Sequence, residues 1–150
     1  MRETDIAIAG GGLAGSIAAA MLGRAGYNAV LIDPHTVYPP DFRCEKLDGA
    51  QSKVLRRTGI ADAVLRAATF DGETWVARFG RLLEKRPGDQ HGIMYDTLVN
   101  TIRAQIPPGV DFILDKVMDV ATTDARQTVT LAKGAPRSAR ATSSAWSGRT

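Results

Sequence analysis

The feature that most constrains the fold of this chain is a glycine turn near its beginning, between an apolar run of strand length and an apolar helix. Gly10, Gly12 and Gly15 have the spacing G-x-G-x-x-G. Residues 13–25 have the composition of a helix packed on a sheet, and residues 28–32 form a second apolar run of strand length. Because a crossover of this kind places its two strands in parallel, the segment predicts a βαβ unit.

The glycines of this turn predict a site for the pyrophosphate of a dinucleotide. Gly10 lets the chain turn tightly off the strand, Gly12 lets the backbone approach the phosphates, and Gly15 lets the helix pack close to the strand. The amide groups at the start of the helix then face the phosphates, and the helix dipole adds a partial positive charge. The predicted binding residues of the turn are Gly10, Gly11, Gly12, Leu13, Ala14 and Gly15.

Asp33 ends the second strand of this unit, 18 residues after Gly15. A carboxylate there accepts hydrogen bonds from ribose hydroxyl groups and repels a 2′-phosphate, which argues against NADP at this site. We expect Asp33 to have no packing role, so its removal weakens dinucleotide binding with little effect on stability. The alternative is that the glycines form only a tight turn and that Asp33 is a solvated strand end. The pattern itself serves NAD and FAD equally well.

The rest of the chain is predicted to alternate short helices and strands. We expect a loop at 34–42, helices at 47–57 and 60–68, hairpin strands at 74–79 and 81–84, a helix capped by Asp96 and reaching Ile106, and strands at 110–114, 117–121 and 128–131.

Several segments resemble the FAD-dependent monooxygenases and related oxidoreductases of the para-hydroxybenzoate hydroxylase type. DIAIAGGGLAGSIAAAMLGRAGYNAVLID is similar to their N-terminus, FRCEKLDGAQSKVLRRTGIADAVL to the loop and helix that follow, and YDTLVNTIRAQIP with VDFILDKVMDV to a later helix and strand pair. The resemblance covers residues 4–132. It implies an α/β fold: a Rossmann-like FAD-binding βαβ domain with a parallel sheet and a small additional β-hairpin or meander, incomplete at the C-terminus.

The resemblance also implies roles outside the glycine turn. Arg43 matches a loop arginine that contacts the pyrophosphate and ribityl region of FAD, and a guanidinium suits a phosphate; without the resemblance, Arg43 would be taken for a surface arginine. Val117 lies where such proteins hold the adenine through the backbone. Glu45 and Lys46 either orient the arginine loop or pair in solvent. Tyr95 stands where the family often has an arginine, so a flavin contact from the following helix is not implied.

Charge and composition argue against other classes of function. The net charge is +3, but residues 133–150 hold four basic residues and no acidic one, so the other 132 residues sum to −1. A basic tail poor in apolar residues does not predict nucleic-acid binding. No apolar run is long enough to cross a membrane. The two histidines, His35 and His91, have no Cys or acidic cluster at metal spacing, so no metal site is expected. The single cysteine, Cys44, fits a reducing compartment, and we expect a cytoplasmic protein.

The last residues depart from the family pattern. Residues 132–150 contain no Val, Ile or Leu, and such a segment buries too little apolar surface to offset its ordering entropy. We therefore expect an FAD-binding domain over 1–132 and a disordered or frame-disrupted tail over 133–150. Relatives of this type are longer and carry a second flavin motif beyond this point. No residue of the chain is expected to be catalytic, and the chain alone is expected to bind FAD weakly.

The expected function is that of the N-terminal FAD-binding portion of a flavin-dependent oxidoreductase. The resemblance implies oxidation or hydroxylation of a small organic substrate, with NAD(P)H as the electron donor. One alternative is an NAD-dependent dehydrogenase that uses the same βαβ unit, which leaves the loop over 34–46 unexplained. Another is a non-catalytic nucleotide-binding gene fragment.

Overall fold

The structure is a computed structural model that describes residues 3–133 and 137–140. In chain order the elements are β1 (Glu3–Thr4), β2 (Ile6–Ala9), α1 (Leu13–Arg24), β3 (Ala29–Asp33), β4 (Cys44–Leu47), α2 (Gly49–Thr58), α3 (Ala61–Ala67), β5 (Thr69–Phe70), β6 (Glu73–Arg78), β7 (Arg81–Pro87), β8 (His91–Met94), α4 (Tyr95–Arg103), β9 (Asp111–Leu114), β10 (Val117–Thr122), β11 (Arg126–Leu131) and β12 (Arg137–Arg140). No helix in the described part of the chain is long and apolar enough to cross a membrane.

The chain forms two compact units, the first from Met1–Thr36 with Ile106–Thr150 and the second from Val37–Gln105. In chain order the second unit is inserted between the two parts of the first. The predicted FAD-binding domain over 1–132 and tail over 133–150 stay predictions. The glycine turn belongs to the first unit, and Arg43 belongs to the second.

The first unit contains the predicted βαβ crossover. Strands β2, β3 and β9 form a parallel sheet with β3 in the middle, and α1 connects β2 to β3. All five residues of β3 are buried. Because side chains alternate along a strand, both faces of β3 are therefore covered. Ala29 and Leu31 pack with Ala19 of α1, whereas Val30 and Ile32 face the opposite layer. The α/β class and the parallel sheet are confirmed.

The opposite layer is a four-stranded sheet of order β1-β12-β11-β10. Strands β10, β11 and β12 form an antiparallel meander, and β1 adds to β12 in parallel. Val129 and Leu131 of β11 pack against Val30 and Ile32 of the parallel sheet. The predicted additional meander is therefore present, and it completes the core of the first unit.

Strand β12 is a difference from the sequence-based prediction, which placed no strand after Leu131. Residues 137–140 pair with β1 on one side and with β11 on the other. A segment without large apolar residues forms a strand here because the backbone groups of two neighbouring strands supply its hydrogen bonds. Residues 134–136 and 141–150, also part of the predicted tail, lie outside the described residues.

The second unit has a three-stranded antiparallel sheet of order β4-β8-β5, the hairpin β6-β7, and helices α2, α3 and α4. Apolar side chains of α3 and α4 form its buried centre, among them Val64, Leu98, Val99 and Ile102. The two short helices and the hairpin are confirmed. Strands β4 and β8 were not predicted.

Helix α4 begins differently from the prediction. Asp96 is not the cap; it lies in the first turn, and the cap residue is Met94, without a side-chain cap bond. The amide of Tyr95 instead donates to the carbonyl oxygen of Arg43, at 2.8 Å. The first amide of α4 is thus satisfied by a tertiary partner, and the helix begins one residue before the predicted cap.

Helix α2 is capped by Asp48, one residue after the predicted helix start. The Asp48 side chain accepts from the Gln51 amide and the Gln51 side chain accepts from the Asp48 amide, both at 2.9 Å. Leu47, which the prediction placed in the helix, is the buried last residue of β4.

We expect Asp48→Ala to lower the free energy of unfolding by about 1 kcal/mol, the usual value of such a cap. Urea unfolding followed by circular dichroism measures it; Asp62→Ala, at an exposed position in α3, is the control, and equal loss in both variants would contradict the assignment.

Candidate functional site

The glycine turn joins β2 to α1 in the way the sequence predicts. Gly10 has a φ of +93°, in the region that favours glycine, and its amide donates to the carbonyl oxygen of Ile32 at 2.8 Å. Gly12 is the cap residue of α1, with an extended backbone and no side-chain cap bond. The amide groups of the first helical turn have no carbonyl partner within the helix. The chain thus presents the start of a helix at the carboxyl ends of two parallel strands, the usual position of a bound nucleotide in such a sheet.

Gly15 lies where the helix and the strand come closest. A Cβ atom added at this position would be 1.9 Å from the carbonyl oxygen of Gly10 and 3.3 Å from Cγ2 of Ile8. No side chain fits in that space, because the nearest atom belongs to the backbone. The predicted role of Gly15 in close helix–strand packing is therefore visible in the geometry.

The carboxylate of Asp33 is buried beneath the glycine turn, with the residue only 7% exposed. Its Oδ2 accepts from the Gly11 amide at 2.7 Å, and its Oδ1 accepts from the His35 amide at 2.9 Å. Nδ1 of His35 lies 3.5 Å from the same Oδ1. The expectation that Asp33 has no packing role is wrong, since the carboxylate ties the end of β3 to the turn.

Ser16 is a further residue of the turn, and the sequence analysis did not single it out. It is fully buried, and its hydroxyl donates to the carbonyl oxygen of Gly11 at 2.9 Å. Asp33 and Ser16 therefore hold Gly11 from both sides, one through its amide and the other through its carbonyl. The available signal was a lone serine in an otherwise apolar helix directly after Gly15.

Arg43 lies in the second unit, immediately before β4, with a side chain that is 53% exposed. Its Nη2 lies 3.1 Å from Oδ2 of Asp41, and its Nε lies 3.6 Å from Oε1 of Glu45. The guanidinium carbon stands 3.7 Å from the centre of the Tyr95 ring. Of the two alternatives for Glu45, the ion pair fits a role in orienting the arginine loop.

Val117 is the first residue of β10, which lies at the edge of the meander sheet in the first unit. Its side chain packs on the cluster formed by Val30, Ile32, Val129 and Leu131. Its backbone pairs with Leu131, and the register shifts between Val117 and Asp119. The side chain therefore has a core role, and a contact with adenine through the backbone stays a prediction.

The structure thus brings the glycine turn, Asp33 and Val117 into one unit and places Arg43 in the other. This geometry defines the first unit as a nucleotide-binding α/β domain of the Rossmann type. The arrangement around the turn fits the pyrophosphate and ribose of a dinucleotide: a glycine cap at the start of a helix, and a carboxylate at the strand end.

Comparison with known proteins identifies the family. Residues 3–131 match the model of the family described as FAD binding domain. The chain belongs to this family, whose cofactor is FAD, and the NAD-dependent alternative is not favoured. No curated protein matches the sequence at a significant level.

Solved structures share the fold. The chain is similar to p-nitrophenol 4-monooxygenase PnpA from Pseudomonas putida DLL-E4, with a TM-score of 0.79, 21% identity, and coverage of 93% of this chain and 40% of that one. A mutant of PqsL from P. aeruginosa gives a TM-score of 0.73 and 21% identity, covering 91% of this chain and 41% of that one. The flavin-dependent monooxygenase PieE, in complex with FAD and substrate, gives 0.68 and 17%, covering 93% and 29%. The chain therefore spans well under half the length of these proteins.

Proposed function

We propose that this chain is the N-terminal FAD-binding portion of a flavin-dependent oxidoreductase, in which a small organic substrate is hydroxylated or oxidised with NAD(P)H as the electron donor. The observation that carries the proposal is the glycine turn, closed by Asp33, within a domain of the FAD-binding family. Two of the similar solved structures are a p-nitrophenol 4-monooxygenase and a flavin-dependent monooxygenase, which supports the reaction class. The lone, exposed cysteine supports a cytoplasmic location.

The residues of this chain would hold the adenosine and pyrophosphate part of FAD. The backbone of Gly10 to Gly15 would take the pyrophosphate at the start of α1. Asp33, at the end of β3, would accept hydrogen bonds from the ribose hydroxyls. The cofactor contact that the resemblance implies for Arg43, and the contact of the Val117 backbone with the adenine, stay predictions.

FAD, when bound, supplies the redox chemistry, while the protein supplies binding, orientation and electrostatics. We assign no residue of this chain to the chemical step. Its contribution is to fix one end of the cofactor: the buried carboxylate of Asp33 and the hydroxyl of Ser16 keep the turn in one conformation, so that little ordering is needed on binding.

Calorimetric titration of the chain with FAD and with NADH tests the proposal. We expect FAD to bind more tightly than NADH, and Arg43→Ala to weaken FAD binding about tenfold, since a hydrogen bond to a charged group contributes about 1.5 kcal/mol and 1.4 kcal/mol is a factor of ten. Arg81→Ala, at an exposed position of the hairpin, removes the same charge and is expected to leave the FAD affinity within twofold. Tighter binding of NADH than of FAD would overturn the proposal.

A further inference from the structure

The hairpin β6–β7 of the second unit has two strand edges. In the part of the chain that the structure describes, these two strands pair only with each other. Phe79 and Gly80 form the two-residue loop between them, with φ of +50° and +75°, as in a type I′ turn. Each strand therefore has an outer row of backbone amide and carbonyl groups at which a further strand can add.

The two edges differ in their protection against a further strand. Strand β7 carries Lys85 next to its end at Arg86–Pro87, and its register against β6 shifts once. Charged side chains, a proline and a bulge are the usual features that keep an edge from pairing. Strand β6 has charges only at its two ends, Glu73 and Arg78, and residues 74–77 between them are Thr, Trp, Val and Ala. The edge of β6 is therefore the one that is open to pairing.

Trp75, in the middle of β6, is an exposed ring that its neighbours hold in place. The residue is 61% exposed. Its Nε1 donates to a carboxylate oxygen of Glu73, and Nζ of Lys85 on the neighbouring strand lies 3.8 Å from the ring centre. A side chain that is already ordered loses little freedom on association, and tryptophan is among the residues that contribute most to interfaces. The edge thus has an apolar centre that is ready for a partner.

The charges at the two ends of β6 make this edge complementary to a second copy of itself. Glu73 begins the strand and Arg78 ends it. When two such strands pair in antiparallel orientation, the acidic end of each lies at the basic end of the other, whereas parallel pairing would place like charges side by side. The partner that the edge fits is therefore another copy of this chain.

The turn indicates which residues of β6 direct their backbone groups outward. Arg78 and Arg81 flank the two-residue loop and face each other across the hairpin. Residues that flank such a loop form a hydrogen-bonded pair, and the backbone groups then alternate in direction along each strand. Those of Glu73, Trp75 and Ala77 are directed away from β7. An antiparallel pair centred on Trp75 uses all three residues, because it places Glu73 of one copy opposite Ala77 of the other.

We propose that two copies of this chain associate through the edges of β6, in an antiparallel pair with Trp75 of one copy opposite Trp75 of the other. The opposite residues lie on the same face of the joined sheet, so the two indole rings meet beside the twofold axis. A single pair of strands buries less than the roughly 1,000 Å² of a lasting interface, so the dimer dissociates readily on dilution.

Sedimentation velocity of the chain over a wide range of concentrations tests the association. We expect an average mass that rises from that of one chain to that of two. Ala77→Glu places a carboxylate opposite Glu73 of the other copy, and repulsion at both ends of the pair should raise the dissociation constant about tenfold. Ala77→Lys places the opposite charge there and should associate at least as tightly as the parent chain. Leu83→Glu, at a 61% exposed position of β7, adds a carboxylate away from the paired edge and should stay within twofold.

Three results of this experiment would overturn the proposal. The first is the mass of one chain at every concentration, and the second is a mass beyond that of two chains. The third is equal weakening by Ala77→Glu and Ala77→Lys, since any charge would then disturb the contact and the antiparallel register would be wrong.

Disulfide cross-linking tests the register independently, in a chain whose exposed Cys44 is replaced by serine. Trp75→Cys should form a covalent dimer under mild oxidation, because opposite residues of a hydrogen-bonded pair have Cα atoms about 5.5 Å apart, within the range of a disulfide. Ala77→Cys is the matched control: its two thiols would lie about 13 Å apart along the paired strands and should not join. Covalent dimers in both variants, or in neither, would contradict the pairing centred on Trp75.

Discussion

Replacing Gly15 by alanine is expected to lower the free energy of unfolding by about 3 kcal/mol, the upper end of the usual cost of overpacking, and to reduce FAD binding sharply. The added Cβ would lie 1.9 Å from the carbonyl oxygen of Gly10. The position of a Cβ atom and that of a carbonyl oxygen are both fixed by the backbone, so no rotamer change relieves the contact. Helix α1 must therefore move away from β2. That movement opens the turn at the residues proposed to receive the pyrophosphate. Urea unfolding and calorimetric titration with FAD measure the two effects.

Gly109→Ala is the matched control for this experiment. A Cβ at Gly109 meets nothing within 4 Å, and the residue lies in the same unit as the glycine turn. We expect its stability to stay within about 0.5 kcal/mol of the parent chain, as for most surface substitutions. A Gly15→Ala variant as stable as Gly109→Ala would show that the helix and the strand are not held at the distance described.

Replacing Asp33 by alanine is expected to affect stability and binding together. The variant removes the carboxylate that accepts from the buried Gly11 amide, and the loss of a hydrogen bond to a charged group costs about 1.5–3 kcal/mol. FAD affinity should also fall by about tenfold or more, through the lost ribose contact and through the loosened turn. Asp33→Asn keeps the shape and one acceptor oxygen, so its losses should be intermediate. Thermal unfolding and FAD titration, run on the same samples, give both quantities.

Asp124→Ala removes an exposed carboxylate from the loop between β10 and β11 and controls for the change of charge. Asp124→Ala should change neither the stability of the chain nor its affinity for FAD appreciably. A loss of FAD affinity in Asp33→Ala without loss of stability would contradict the structural role of the carboxylate. A loss of stability with unchanged affinity would contradict its role in holding the ribose.

The βαβ unit could be predicted because its signals are local. The strand run, the glycine spacing and the apolar helix each lie within about a dozen residues, and the bounds of β2, α1 and β3 differ from the expected ones by at most one residue at either end. The functional meaning of Gly15 is equally local, since the glycine is required by a contact with Gly10, five residues earlier.

Strands β4 and β8 could not be predicted in the same way. They pair with each other, with Cys44 opposite Met94, so each depends on a partner distant in the sequence. Neither has a strong pattern of its own, and β8 contains Gly92, which weakens a strand considered alone. The start of α4 was assigned to an Asp96 cap for a related reason, because the carbonyl of Arg43 that takes the Tyr95 amide is visible only once the two segments meet.

The sequence by itself determined the class of fold, the position of the nucleotide turn and the family, since these depend on residue types at short spacing. Only the tertiary structure decided that Asp33 is a buried support of the turn, that Ser16 assists it, that residues 137–140 join a sheet, and that Tyr95 carries the guanidinium of Arg43. For Asp33, for residues 137–140 and for Tyr95 the physical reason is the same: the contacts join segments far apart in the chain, and residue spacing does not encode their distances. For Ser16 the partner is only five residues away, and the direction of its side chain is what the sequence leaves open.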